Sequence, residues 1–150
     1  MAQTTGATTL RNLDIEISID QGSIWTDISG HANSIEPGGG ERETGEFFTA
    51  DGDTPIIGAG KRAASELKVK IVYTEGAAEP AKILRDAYKN STPTRIRYAP
   101  KGMASGNYLY TSTDGIVKEP VLPGGEVQSG DPVPIEFTLV VSDVNDSVVA

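Results

Sequence analysis

The sequence predicts a mainly β protein, an antiparallel β-sandwich or partly open barrel flanked by one α-helix. Three observations predict this class. Strictly alternating apolar residues recur in separate segments, a helical apolar pattern occurs once, and 17 glycines with nine prolines mark frequent turns. The segments follow one another without βαβ alternation, which favours antiparallel sheets. We therefore expect roughly six or seven strands and one helix.

The first strand is predicted within residues 13–19, where apolar and polar residues alternate strictly. Its apolar face, expected to be half-buried, consists of Leu13, Ile15, Ile17 and Ile19. A turn follows, and the shorter segments 23–28 and 32–36 are predicted as the next strands.

A single helix is predicted over residues 79–90, because the period of the apolar residues changes there. Pro80 suits the first turn of a helix, where its missing N–H costs nothing. One apolar stripe along the helix consists of Ile83, Leu84, Ala87 and Tyr88.

The remaining strands are predicted from alternation on either side of the helix. Residues 67–73 alternate strictly, and residues 133–141 place five large apolar side chains on one face. Segments 94–98 and 107–118 are extended, with a turn at residues 114–115, whereas residues 119–132 form a loop rich in Pro and Gly.

Charged side chains on these strands alternate with the apolar ones. Lys68, Lys70, Arg95 and Arg97 occupy polar faces, as do Asp14 and Glu16 on the first strand. We expect them to form ion pairs between strands on a solvated face rather than a patch for nucleic acid.

A chain of 150 residues suits one hydrophobic core, so residues 1–150 are predicted as a single domain. Residues 37–64 are expected to form a long loop, and the termini, residues 1–11 and 145–150, are expected to be flexible.

Composition excludes several classes of function. The absence of cysteine removes disulfides, thiolate metal sites and cysteine catalysis, and slightly favours synthesis in a reducing cytosol. The net charge of −8 argues against binding nucleic acid by attraction. No signal peptide pattern and no apolar run long enough to span a membrane are present in the sequence.

Candidate chemical motifs fail at named positions. Asp51-Gly52-Asp53 resembles the start of a calcium loop, but Pro55 and Arg62 stand where an EF-hand needs an oxygen ligand and a Glu. Gly58 and Gly60 fit a loose dinucleotide pattern, yet a strand follows them instead of a helix. Gly60-Lys61 likewise lacks the spacing and the Ser or Thr of a phosphate loop.

His31, the one histidine, lies near Asp27, Ser29 and Ser34 in the sequence. A catalytic set of nucleophile, base and carboxylate is conceivable there, but an exposed turn histidine is the favoured interpretation. We therefore predict no enzyme activity, no catalytic residue, no metal and no cofactor.

The long connection at residues 37–64 is the most informative segment. Connections longer than about 12–15 residues are usually functional or contain a missed element, and residues 42–49 are a candidate strand of a long hairpin. Its large apolar side chains are costly to leave in water, so we expect them to bury against another subunit. The predicted contact between subunits and between rings comprises Phe47, Phe48, Ile56, Ile57, Lys61 and Arg62.

The same segment is acidic before its sign reverses at Lys61 and Arg62. Such an apolar segment with charged ends suits a head-to-tail contact, which produces rings or filaments. Its acidic residues are predicted to carry charge at a lumen or at a stacking surface: Glu41, Glu43, Glu46, Asp51 and Asp53.

In the order of its features, the chain resembles the major tail tube proteins of long-tailed, non-contractile bacteriophages. The resemblance covers roughly residues 12–144 and depends on the ordering of the segments rather than on a single motif. Those segments are W-T-D-I-S-G at 25–30, G-G-G-E-R-E-T-G-E-F-F-T-A-D-G-D at 38–53, Y-T-E at 73–75, the helix at 79–90, R-Y-A-P-K-G at 97–102 and the strand at 133–141.

The resemblance implies a structural virion protein, made in the host cytoplasm, that assembles as stacked hexameric rings into the tail tube. It implies a tape measure protein and a tail terminator as partners, and DNA that passes through the tube during ejection without specific binding. It implies no association of the protein with a membrane. The alternative is a monomeric β-sandwich module that binds carbohydrate or a host surface, although one Trp, five Tyr and three Phe are a thin supply for an aromatic platform.

Overall fold

The computed structural model describes residues 2–150, which hold eleven strands, one α-helix and a short 3₁₀ helix at Leu10–Asn12. In chain order the α-helix and strands are β1 (Asp14–Ser18), β2 (Thr26–Asp27), β3 (Ala32–Gly39), β4 (Arg42–Phe47), β5 (Ile56–Arg62), β6 (Ser65–Val72), α1 (Pro80–Asn90), β7 (Arg95–Ala99), β8 (Tyr108–Ser112), β9 (Gly115–Val117), β10 (Pro134–Val141) and β11 (Val144–Val148).

The strands form two main sheets and one hairpin. The first sheet has the order β11-β8-β7-β1-β2, the second has the order β3-β6-β10-β9, and β4 pairs with β5 alone. Every pairing between strands of residues 2–150 is antiparallel, and neither main sheet closes on itself. The predicted fold class, mainly β with open antiparallel sheets and one helix, is confirmed.

One apolar core joins the two main sheets and the helix. Ile17 and Ile96 from the first sheet belong to the same buried cluster as Val69 and Phe137 from the second. Leu84 of α1 is fully buried in this cluster. The strict alternation of β1, β6 and β10 places these residues on inward faces, since successive side chains of a strand point to opposite sides.

The helix lies where it was predicted, but Tyr88, predicted in its apolar stripe, is 37% exposed. It begins at Pro80, in the first-turn position where a missing N–H is tolerated. It ends at Asn90, where Ser91 adopts a left-handed conformation and donates its N–H to the carbonyls of Ala87 and Tyr88. Its buried face consists of Pro80, Ala81, Leu84 and Ala87.

The pair β3–β6 continues into the pair β4–β5, so that the four strands make one long bent ribbon. The bend lies at Gly39 and Gly40, which both have positive φ angles, 70° and 74°. Hydrogen bonds continue across it, from Gly40 N–H to the Ala64 carbonyl at 3.0 Å and from Ala63 N–H to the Glu41 carbonyl at 2.8 Å. Residues 41–63, beyond the bend, are called the arm below.

The prediction that residues 37–64 form a loop is therefore wrong, whereas the candidate strand within residues 42–49 corresponds to β4. Residues 37–39 belong to β3, and β4 and β5 occupy most of the rest. Apolar alternation did not indicate these strands, because neither face of the arm packs on the core and all of its residues except Pro55 are exposed.

The C-terminal segment also differs from its prediction. Residues 145–150 were expected as a flexible tail, but β11 pairs with β8 over five residues, from Val144–Ser112 to Val148–Tyr108. With β4, β5 and β11 the strand count exceeds the predicted six or seven. At the N-terminus, Met1 lies outside the described residues, and residues 2–9 form no helix or strand.

Some of the charged side chains form ion pairs between strands, as predicted, whereas Lys70 and Asp14 form none within residues 2–150 and Arg95 pairs with Asp114 in a turn. Arg97 lies opposite Glu16 in register, contacts its carboxylate at 2.7 Å, and stacks over Trp25 at 4.3 Å. Lys68 pairs with Glu136 at 3.4 Å. These contacts occupy the solvated faces of the two sheets.

Candidate assembly surface

The arm carries the densest group of exposed large apolar side chains in residues 2–150. Phe47 and Phe48 are 68% and 59% exposed, and Ile56 and Ile57 are 60% and 62% exposed. Leaving four such side chains in water is unfavourable by roughly 1.5–3 kcal/mol each relative to burial. The predicted apolar side chains thus lie together on the arm, and no other residue of 2–150 covers them.

The register of the hairpin distributes this cluster over both faces of the arm. Phe47 lies opposite Ile56, so their side chains share one face. Glu46 lies opposite Ile57, so this pair occupies the other face. The end of the arm is consequently apolar on both sides, with a carboxylate on only one of them.

The face that bears Phe47 and Ile56 is bare toward the base of the arm. Gly45 and Gly58 lie directly opposite each other there, and an added Cβ at either position would meet no atom within 4 Å. Phe47 and Ile56 therefore lie next to a stretch of backbone without side chains on this face. Another surface can approach that backbone closely.

The predicted acidic residues are spread along the arm rather than gathered in one site. Glu43 and Glu46 lie on β4, Asp51 and Asp53 lie in the connection between β4 and β5, and Glu41 lies at the base. All five are exposed, and none of them forms an ion pair with another residue of 2–150.

The basic residues of the predicted contact are separated from the apolar ones. Lys61 and Arg62 end β5, roughly 20 Å from Ile56 at about 3.4 Å per residue. Arg62 binds within the chain: its guanidinium contacts both carboxylate oxygens of Asp143, at 3.4 and 3.2 Å. Arg62 thus ties the base of the arm to the turn between β10 and β11.

Asp143 is held in its charged form. The N–H of Val144 and the guanidinium of Arg62 lower the pKa of the Asp143 carboxyl below its usual value. The tie between the arm and the body is therefore an ion pair at neutral pH.

The catalytic arrangement considered around His31 does not form. His31 is half-buried rather than exposed, and its Nε2 lies 2.7 Å from the carboxylate of Glu79 at the start of α1. Asp27 accepts a hydrogen bond from the N–H of Ser29 at 2.8 Å, away from His31. Residues 2–150 contain no group of three or more His, Asp or Glu side chains placed to hold a metal ion.

The helices of the described chain are short. None of them has the length and apolar character needed to cross a membrane.

A second apolar surface, missed in the sequence, lies between the turn after β1 and the helix. It is a groove of about 200 Å³, called the isoleucine groove below, lined by Ile17, Ile19, Asp20, Ile24, Thr26 and Ile83.

Two isoleucines of this groove are exposed, Ile19 by 47% and Ile24 by 69%. Ile19 was expected on the buried face of the first strand, but β1 ends at Ser18 and the chain turns away from the core there. A usable signal was present in the sequence: Ile19 and Ile24 flank a polar turn, which brings both to the same end of a hairpin.

No protein-family model matches the chain, and no curated protein sequence matches it significantly. Solved structures do match along nearly the whole length. A chain from the sheath–tube complex of an extracellular contractile injection system, PVC, in its extended state is 13% identical with a TM-score of 0.65, covering 99% of this chain and 100% of that one.

Two further matches come from related particles. A chain from the six-fold symmetrised baseplate of the anti-feeding prophage is 9% identical with a TM-score of 0.68, covering 99% of each chain. A chain from the tail of an empty gene transfer agent particle, refined with C6 symmetry, is 8% identical with a TM-score of 0.66, covering 99% of this chain and 100% of that one. The chain therefore has a tail-tube-like fold, shared with components of phage-like tails and injection systems.

Proposed function

We propose that this protein is a structural subunit that assembles into stacked rings and forms the tube of a phage-like tail. The observation that carries the proposal is the arm, a hydrogen-bonded ribbon that exposes Phe47, Phe48, Ile56 and Ile57 from a body of tail-tube-like fold. Apolar surface of this kind on a soluble subunit marks a site of contact with another protein.

We propose six copies in each ring. Two of the matched structures, the anti-feeding prophage baseplate and the gene transfer agent tail, have six-fold symmetry. In such a ring the exposed edge strands β3 and β9 of one sheet and β2 and β11 of the other gain neighbours, which removes edges prone to aggregation.

The tube would enclose a channel, and we propose that DNA passes through it during ejection. The net charge of −8 supports passage without adsorption, since a negative wall repels phosphate groups. A tape measure protein and a tail terminator are the partners expected of such a tube, and the virion is its location.

The type of tail is proposed from the sequence alone. The order of sequence features favours a non-contractile tail, whereas one matched structure contains a sheath. We also retain residues 1–150 as one domain. Purified particles that contain this tube and no sheath subunit would support the non-contractile assignment, and a sheath around the tube would overturn it.

The proposal predicts that a variant with Phe47→Ser and Phe48→Ser remains folded and soluble but forms no tubes. These side chains make no contribution to the core, so the loss is expected in assembly rather than in the free energy of unfolding. Sedimentation velocity and negative-stain electron microscopy measure the outcome against the unaltered protein.

Leu122→Ser is a matched control, because Leu122 is 65% exposed but lies in the loop between β9 and β10. The control is expected to form normal tubes. Normal tubes from the double Phe variant would show that Phe47 and Phe48 on the arm are not needed for assembly. An unaltered protein that sediments only as a 15.8 kDa monomer at high concentration would favour the alternative of a monomeric binding module.

A further inference from the structure

Two exposed apolar surfaces of the described chain differ in shape. The end of the arm projects, with Phe47 and Ile56 on one face. The isoleucine groove is concave and displays Ile19 and Ile24. A projecting surface and a concave one on the same chain can satisfy each other between two copies, either head-to-tail or reciprocally across a two-fold axis, and stacked rings require the head-to-tail form.

The isoleucine groove has the size and lining for one aromatic ring. Its volume is about 200 Å³, and four of the residues that line it are isoleucines. An aliphatic cavity of roughly 150 Å³ is known to hold a benzene molecule without water. A phenyl side chain therefore fits the groove without rearrangement of the core.

The one carboxylate in the groove is already bound. Asp20 accepts hydrogen bonds from the hydroxyl of Ser18 at 2.7 Å and from the N–H of Ile24 at 2.9 Å. These donors lower the pKa of the Asp20 carboxyl, the N–H of Ile24 most strongly. Asp20 thereby fixes the turn that presents Ile24.

The helix that contributes to the groove and the end of the arm carry net charges of opposite sign. The helix that contributes Ile83 to the groove carries three cations, Lys82, Arg85 and Lys89, and one carboxylate, Asp86, which pairs with Lys82 at 2.7 Å. Three cations against one carboxylate leave α1 with two net positive charges. The end of the arm carries three carboxylates and no cation between residues 46 and 57, namely Glu46, Asp51 and Asp53.

The other cavities fit the arm less well. The cavity beside Tyr73 is lined by Glu126 and Asp131, whose charges oppose an acidic arm. The cavity at His31 is lined by Asp131 and Lys70 and includes two prolines and a glycine, so it lacks the cluster of isoleucines that suits a phenyl ring. The cleft at Tyr98 and Tyr110 includes Gly39 and Ser65, which lie at the base of the arm of the same chain.

We propose that Phe47 on the arm of one copy inserts into the isoleucine groove of a second copy, next to Ile24. Ile56, on the same face as Phe47, covers the rim of the groove, and the carboxylates of the connection between β4 and β5, Asp51 and Asp53, lie toward the cations of α1. The contact rests on the proposed assembly function and names the surface that receives the arm.

A cysteine pair tests this contact directly, because the chain contains no cysteine of its own. Phe47→Cys and Ile24→Cys are placed in one chain, tubes are assembled, and a mild oxidant is added. We expect a ladder of covalent oligomers on a non-reducing gel, which collapses to monomer with reductant. Each single variant is expected to give no ladder.

Phe48→Cys with Ile24→Cys is the matched control, since Phe48 follows the last paired residue of β4 and alternation turns it to the other face. We expect this pair to cross-link much less. Tubes without a ladder from the Phe47 and Ile24 pair would overturn the contact and leave the tube function intact. Unaltered protein that never assembles would instead overturn the tube function.

A second pair of variants covers the case in which cysteines disturb assembly. Ile24→Asp places a charge in the groove and is expected to raise the critical concentration for assembly by about tenfold or more. Val127→Asp is the control, because Val127 is fully exposed in a loop away from the groove. Equal critical concentrations for the two variants would contradict the contact.

Discussion

At the scale of single residues, Gly39 determines the direction of the arm. Its φ of 70° lies in the left-handed region, which a side chain disfavours. A Cβ at this position would also lie 2.5 Å from the carbonyl oxygen of Ala64. The backbone at Ala64, just before β6, thus passes so close that only glycine fits at the bend.

Gly39→Ala is therefore expected to lower the free energy of unfolding by roughly 1–3 kcal/mol and to impair tube formation. Gly38→Ala is the control, because a Cβ at Gly38 would meet no atom within 4 Å. We expect the control to change the free energy by less than about 0.5 kcal/mol. Denaturant unfolding of dilute subunits measures both, and equal values would show that the bend tolerates a side chain.

Asp143 gives the base of the arm a dependence on pH. Its pKa is lower in the folded chain than the usual 3.8, so its charged form stabilises the fold above that value. As the pH falls through the lowered pKa, the carboxylate is protonated and this stabilisation disappears.

Asp143→Asn is expected to destabilise the protein at pH 7, and the difference from the unaltered protein is expected to shrink as the pH falls below 3.8. Urea midpoints measured at successive pH values test this sign. High salt is expected to reduce the difference at pH 7 as well, because Arg62 and Asp143 are partly exposed. A difference that stays constant down to pH 2 would contradict the assignment.

At the scale of elements, the strands and the helix that bury one face could be predicted from the sequence. The strands β1, β6 and β10 were predictable because each buries one face, which imposes an alternation of apolar and polar residues. The helix was predictable because Pro80 and its apolar stripe mark the start and the buried side. In these elements the core determines which residues are apolar.

The elements that escaped prediction do not bury a face. The strand β11 reads V-N-D-S-V and is mostly exposed, so pairing with β8 rather than alternation makes it a strand. The strands β4 and β5 are exposed on both faces and contain three glycines. Hydrogen bonds between β4 and β5 hold both strands extended. No local sequence pattern predicts this pairing.

The candidate site was predictable only in part. From the sequence alone, the free energy that it costs to leave Phe47 and Phe48 in water predicts a contact between subunits. The pairing of Arg62 with Asp143 joins residues 81 positions apart, and the isoleucine groove joins β1 to α1. Contacts between distant segments depend on the sheet order, which a single sequence does not reveal.

At the scale of the whole molecule, the body and the arm are energetically separable. The buried cluster that joins the two main sheets and α1 contains no residue of 41–63. The base of the arm is narrow, since Gly40 N–H and the Ala64 carbonyl are hydrogen-bonded at 3.0 Å. The body therefore folds around a core to which the arm adds nothing.

Replacing residues 41–63 with an Asn-Gly turn is accordingly expected to change the free energy of unfolding by about 1 kcal/mol or less. The loss of the pair between Arg62 and Asp143 and the shorter connection act in opposite directions. Thermal unfolding followed by circular dichroism measures stability, and electron microscopy is expected to show no tubes. Loss of the cooperative transition would show instead that the arm is part of the folding unit.

The single arm on each copy has a consequence for growth. A polymer held together by one projecting element and one receptive surface is directional: one of its ends displays unoccupied arms, and the other displays empty grooves. Incoming subunits meet different chemistry at the two ends, so elongation and capping are separate events. In the proposed contact, the polarity of the tube would follow from the arm and the groove being two different surfaces of one chain.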